Sequence, residues 1–205
     1  SDSKSVQKSD TTTGHDAYAE VATVSKKLTN EMLVRMIDSA ANYRDWNLSA
    51  DDAARLVKLI KYKQRIICST FAFQLNRNFA DFKAANDAQA QDDGVKNPQQ
   101  AELSGANANS DSVTLEAITQ RYGDAFKAFD SCILKRLQAC IRRSRANRYE
   151  NPLQLRRLCA AYSYTVDSLN LEAADKLALY QLFADRFIEA LGPLYRRIDQ
   201  LLLDH

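Results

Sequence analysis

Between Lys135 and Arg157 eight basic side chains, Lys135, Arg136, Arg142, Arg143, Arg145, Arg148, Arg156 and Arg157, stand against a single acid, Glu150. Guanidinium groups at that density can hold phosphates or carboxylates bidentately, and Tyr149 and Tyr162, close by in sequence, could stack a base. Arg136, Arg142, Arg143, Arg145, Arg148, Arg156 and Arg157 are therefore the candidate residues for binding an anion or an acidic partner. The anion would be a nucleic acid or a nucleotide such as a cyclic dinucleotide, with the core of the site at Arg142 to Arg148. The ordinary alternative stays open: cations near a helix C-terminus favour its dipole and pair with acids elsewhere in the fold.

Other chemistry is poorly provided for. The two histidines, His15 and His205, lie near the chain ends, and none of the four cysteines (Cys68, Cys132, Cys140, Cys159) forms a CxxC pair. Zinc needs clustered ligands at short spacing, so no metal is expected. Nucleophilic catalysis needs a base beside the nucleophile, and Asp51/Asp52 and Asp92/Asp93 read as solvated acids. There is no glycine-rich phosphate cradle, no GxSxG and no HExxH. The sequence therefore assigns no catalytic residue and no cofactor, and an enzyme is not expected. Twenty-eight basic against 26 acidic residues give a net charge of +2, which excludes wholesale polyanion binding and leaves only local patches. A second such patch, Lys58, Lys61, Lys63 and Arg65, reads as snorkelling side chains around an apolar stripe, with a binding surface as the alternative.

The elements that must position these residues are helices. Leu115, Ile118, Tyr122, Phe126, Phe129, Ile133, Leu137 and Cys140 recur at three- and four-residue intervals. So do Leu177, Tyr180, Phe183, Phe187, Leu191, Leu194, Ile198 and Leu201, and each set marks one buried face. Five glycines and three prolines in 205 residues leave too few turns for a sheet-rich fold. The expectation is an all-α, antiparallel bundle of about five long helices, with stripes buried in one another rather than in a dimeric coiled coil. Residues 1–28 read as a tail, disordered to about Gly14 with a possible short helix from Asp16 to Leu28. Residues 29–85 read as a helical hairpin: Asn30 to Arg44, burying Leu33, Met36, Ile37 and Ala40, then a long helix capped by Ser49 and burying Leu56, Ile60, Ile67, Phe71, Leu75, Phe79 and Phe82. The Asn-, Asp- and Gln-rich stretch 86–111 reads as a flexible linker. Residues 112–205 form a C-terminal helical unit, with one helix carried to about Arg145. Asn151-Pro152 caps the next helix, and a kink or restart is expected near Leu191 at Gly192-Pro193. The thiols are expected buried and reduced in a cytoplasmic protein, and no apolar run is long enough for a membrane span.

The stretch from Asn151 to His205 resembles a family of large proteobacterial proteins of unknown function. Asn151-Pro152-Leu153 opens a helix, Leu169 and Leu171 mark an aliphatic connection, Lys176 to Phe187 match a "KL-LYxLF-RF" helix, and Leu194-Tyr195 to Leu202 match its ending. Val57 to Phe79 is similar to the family's first long helix, so that about two-thirds of the chain is covered. Residues 86–111 match the family's acidic connecting segment poorly, and Pro193 departs from its pattern. Some members are labelled thymidine phosphorylase, but the glycine-rich signature such an enzyme needs is missing here, and the resemblance transfers no catalytic residue. It implies the N-terminal part of a bacterial cytoplasmic protein. The partner expected is then another protein or the remainder of the same chain, met at exposed apolar positions such as Leu201 to Leu203.

Overall fold

The computed structural model describes residues 9–88, 111–141 and 150–204. Among them there is no strand. The chain is all-α, with seven α-helices: α1 Ser9–Ser39, α2 Ala50–Tyr62, α3 Gln64–Ala88, α4 Asp111–Ile141, α5 Leu155–Asp167, α6 Ala173–Leu182 and α7 Leu191–Leu203. A 3₁₀ turn, Ala40–Asn42, follows α1, and a π-helical turn, Phe183–Ile188, follows α6. Seven arise where about five were expected because two of the long helices are each broken once.

The first break is slight. Lys63 leaves helical geometry (φ −91°, ψ 7°), yet its N–H still reaches the Leu59 carbonyl at 2.9 Å and its own carbonyl accepts from Ile67. The buried stripe therefore runs on across the joint, and Leu56, Ile60, Ile67, Phe71, Leu75, Phe79 and Phe82 are all inside as their spacing predicts. Ser49 caps α2 as expected, its Oγ accepting from the Asp52 N–H at 3.1 Å.

The N-terminal tail is a correction. Residues 9–14 were read as disordered and a boundary was placed near Thr29, but α1 runs unbroken from Ser9 to Ser39. Ala17, Tyr18 and Val21 are buried, and Tyr18 Oη donates to the Phe79 carbonyl at 2.6 Å between the rings of Phe79 and Phe82. Thr29 stays helical because its hydroxyl bonds back to the Ser25 carbonyl at 2.8 Å. Composition hid the helix because between Ala17 and Thr29 three of its five buried positions are Ala17, Ser25 and Thr29. Residues 1–8 lie outside the described residues, as does the expected linker from 89 to 110; residues 86–88 belong to α3.

Two further expectations shift. Asn151 does not cap α5 directly. Its Oδ1 accepts from the Leu153 N–H and its carbonyl from the Gln154 N–H, both at 2.9 Å, so a turn intervenes and α5 starts at Leu155. The restart at Leu191 occurs where Gly192-Pro193 predicts, but the strain is absorbed upstream in the π turn, where Glu189 N–H bonds the Ala184 carbonyl at 3.3 Å. Pro193 then falls in the first turn of α7, where its missing N–H costs nothing. Asn170, at φ 53°, closes the connection between α5 and α6, a backbone state that asparagine tolerates.

Buried residues from α1, α2 and α3 and from α4 to α7 belong to one hydrophobic cluster. Phe71 of α3 meets Phe187 edge-on at 5.6 Å; Phe187 stacks on Phe183, and Phe183 on Tyr162 of α5 at 4.0 Å. That aromatic row ties the first half of the chain to the second. Arg55 of α2 adds a polar tie, donating to both oxygens of the buried Asp175 carboxylate of α6 at 3.0 and 2.9 Å. The α4 stripe is used inside the molecule: Ile118, Ile133 and Leu137 are buried, and Phe126 and Phe129 pack on Tyr195 of α7. Leu201 and Leu202 are buried as well, so only Leu203 remains of the exposed trio expected at the C-terminus, while Leu177 is exposed instead.

Candidate functional site

The fold divides the arginine-rich segment. Arg136 Nε on α4 meets Asp199 of α7 at 3.0 Å. Arg156 bonds one oxygen of Glu150, and Arg157 Nε lies 3.5 Å from the other. The Arg136 pair joins α4 to α7, whereas Arg156 and Arg157, in the first turn of α5, share the Glu150 carboxylate just before that helix. Arg142, Arg143, Arg145 and Arg148 lie outside the described residues, as does Tyr149. Tyr162 cannot stack an incoming base, because it is buried against Phe183.

The other basic patch is placed differently. Thr23, Lys26, Lys27, Asn30 and Val34 of α1 face Lys61 and Tyr62 of α2 and Gln64, Arg65, Cys68, Ser69 and Ala72 of α3 across an open groove of about 760 Å³. α1 and α3 run antiparallel, touching at Tyr18 and Phe79, and the groove lies farther along the pair, beside the α2–α3 joint at Lys63. Lys26, Lys27, Lys61 and Arg65 bring four positive charges to it, and among the described residues no acid lines it. The nearest acids along α1, Glu20 and Glu31, lie outside the lining. None of the four cations makes an ion pair among the described residues.

One rim of the groove is apolar. Tyr62 is 87% exposed, Ile66 51% and Phe73 57%, three large side chains left in solvent along one side of the α2–α3 rod. They sit opposite the buried stripe, at positions that a single-sided amphipathic helix fills with polar residues. A single exposed apolar side chain is unremarkable, but three in register beside a groove form a patch of the kind that interaction surfaces use. Of this site the basic run at Lys61 and Arg65 was singled out from sequence. Lys26 and Lys27 were missed because they were assigned to a separate short helix. Tyr62, Ile66 and Phe73 carried a readable signal, being apolar residues that the buried period does not use.

The cysteines and acids offer nothing comparable. All four cysteines are free; Cys159 is buried, Cys68 and Cys140 half-buried, and Cys132 exposed, which corrects the expectation that all would be inside. Burial pushes the Cys159 thiol up to about 12, so it stays protonated and unreactive at neutral pH. Native protein treated with iodoacetamide should be modified at Cys132 well before Cys159, which reacts only after unfolding. Equal labelling of the two by mass spectrometry would contradict the packing of α5. Asp51 and Asp52 are solvated at the start of α2, and Asp92 and Asp93 lie outside the described residues. Among the described residues no three histidine, cysteine or acidic side chains come together as a metal site would require. No described helix is long and apolar enough to cross a membrane.

Neither the curated proteins nor the solved structures contain a match to this chain. Residues 19–205 match the model of the family described as "Protein of unknown function (DUF1631) N-terminal domain". That span begins inside α1 and takes in the groove, its apolar rim, the aromatic row and the arginine segment. The chain belongs to this family of unknown function.

Proposed function

We propose that this domain is a non-enzymatic helical module that docks another protein through the outward face of α2 and α3. The observation that carries this reading is the set Tyr62, Ile66 and Phe73, left in solvent on the α2–α3 rod that bears the groove, whereas the other exposed large apolar side chains, Tyr164, Leu177 and Leu203, lie on three different helices. Docking surfaces are commonly built from aromatic and aliphatic anchors beside charged residues that set orientation and partner choice. Four free thiols, one of them exposed, fit a reducing cytoplasmic setting, which is part of the same proposal. An anion site built on the arginine segment has less support, since three of its seven members, Arg136, Arg156 and Arg157, neutralise internal carboxylates.

The test replaces Tyr62, Ile66 and Phe73 together by serine in the full-length protein. Because the three are exposed, stability should change little. Gel filtration of gentle cell extracts should show the wild type in a complex heavier than its own mass and the triple variant shifted to the free position. Identical elution of a folded variant would end this reading.

A further inference from the structure

Resting on that docking face, we infer that its partner is an acidic amphipathic helix of another protein, seated in the groove between α1 and the α2–α3 rod. Charge selects the partner. Lys26, Lys27, Lys61 and Arg65 converge on the groove with no lining acid, in a chain whose overall charge is only +2. These four make no ion pair among the described residues, so their charge stays available to a partner. The complementary surface is a row of Asp or Glu side chains.

Shape and polarity separate a helix from a nucleic acid. The groove follows α1 from Thr23 to Val34, a length of about 16 Å at the helical rise per residue, which suits a ligand helix of three turns. Its lining includes Val34, Cys68 and Ala72, and Ile66 and Phe73 stand exposed on the same helix as Arg65, Cys68 and Ala72. An amphipathic helix presents apolar anchors at i, i+4 and i+7 to such a lining and acids on its flanks. A phosphodiester chain has no apolar face to offer, and single-strand binding relies on successive aromatic platforms, whereas Tyr62 is the one aromatic that lines this groove. A second copy of the chain meeting groove to groove would bring like charges together across its two-fold axis, which disfavours self-association there.

The test uses fluorescence anisotropy on the whole domain with three probes at low salt. They are a labelled 18-residue amphipathic helix with glutamates flanking leucine anchors, the same peptide with lysine for every glutamate, and a polyuridylate 20-mer. The acidic peptide should bind with a Kd on the order of 100 µM or tighter. The lysine peptide should not bind. Affinity should fall at least about tenfold in Lys61→Glu/Arg65→Glu, and fall again as salt is raised. Lys27→Glu alone, on α1, should weaken binding without touching the α2–α3 joint, which guards against a folding artefact.

Several results would overturn the proposal. They are no binding of the acidic peptide at millimolar concentration, binding indifferent to the charge reversals, tighter binding of the RNA through the same residues, or a wild-type dimer that the reversals dissociate. The two levels separate cleanly. If the Tyr62, Ile66 and Phe73 variant loses its cellular complex while the acidic peptide never binds, docking stands and the acidic chemistry falls. If the peptide binds the groove but the complex survives the triple change, the apolar face falls instead.

Discussion

Replacing Phe183 by alanine is expected to lower stability by about 3–5 kcal/mol, the range for a large aromatic removed from a packed core. Phe183 has no solvent exposure and lies between two stacked rings, Tyr162 at 4.0 Å and Phe187 at 4.7 Å. Through Phe187 the row reaches Phe71 of α3, so the cavity would open at the contact between the two halves of the chain. Collapse around it is hindered because the π turn fixes Phe183, Ala184, Phe187 and Ile188, all buried, within six residues. In a chain of this size the melting temperature should drop by roughly 10 °C. A transition that stays single but moves down fits one shared core. Splitting into two transitions, or a drop of only a degree or two, would mean that the halves are not coupled through this row.

Tyr18→Ala is the second large effect, at about 3 kcal/mol. Tyr18 is 6% exposed, its ring lies against Phe79 and Phe82, and its hydroxyl satisfies the Phe79 carbonyl at 2.6 Å. The Phe79 carbonyl lies inside α3 and keeps its intrahelical bond, so Tyr18→Phe removes one additional buried hydrogen bond and should cost about 1 kcal/mol. The outcome discriminates sharply. Were the segment before Asn30 a loosely attached tail, both substitutions would be silent in thermal unfolding. A continuous α1 packed along α3 makes both visible, the alanine more than the phenylalanine.

Much of the fold was legible because helical period and burial agree residue by residue along α3, α5 and the π turn. Leu56 through Phe82 is the clearest case, since the pattern survives the joint at Lys63. What could not be read follows from causes that periodicity does not record. From Ala17 to Thr29 the buried positions are Ala17, Tyr18, Val21, Ser25 and Thr29, of which only Tyr18 and Val21 are sizeable apolar side chains, so composition resembles a tail until Phe79 and Phe82 arrive from about sixty residues away. Asn151-Pro152 carries a helix-start signature, and only the competing turn closed by Asn151 Oδ1 delays α5 to Leu155. Leu201 is buried as its place in the last stripe predicts, and Leu202, expected on the exposed C-terminal surface, is packed inside with it.

The candidate site was half-legible. Arg136, Arg156 and Arg157 looked available because Glu150 is the one acid in their segment, but Asp199 comes from α7, beyond the reach of sequence proximity. Lys61 and Arg65 were noted as a possible binding surface, yet a groove needs two walls. The wall bearing Lys26 and Lys27 follows from the antiparallel run of α1 along α3, which no local signal announces.

The direct measurement is photocrosslinking in living cells, with p-benzoylphenylalanine placed at position 73 of the full-length protein. Position 164, where Tyr164 is similarly exposed on α5, serves as the control. A discrete adduct at 73, absent at 164 and lost on Lys61→Glu/Arg65→Glu, is the predicted result. Adducts at 164 with none at 73 would contradict it and move the working surface of this domain elsewhere.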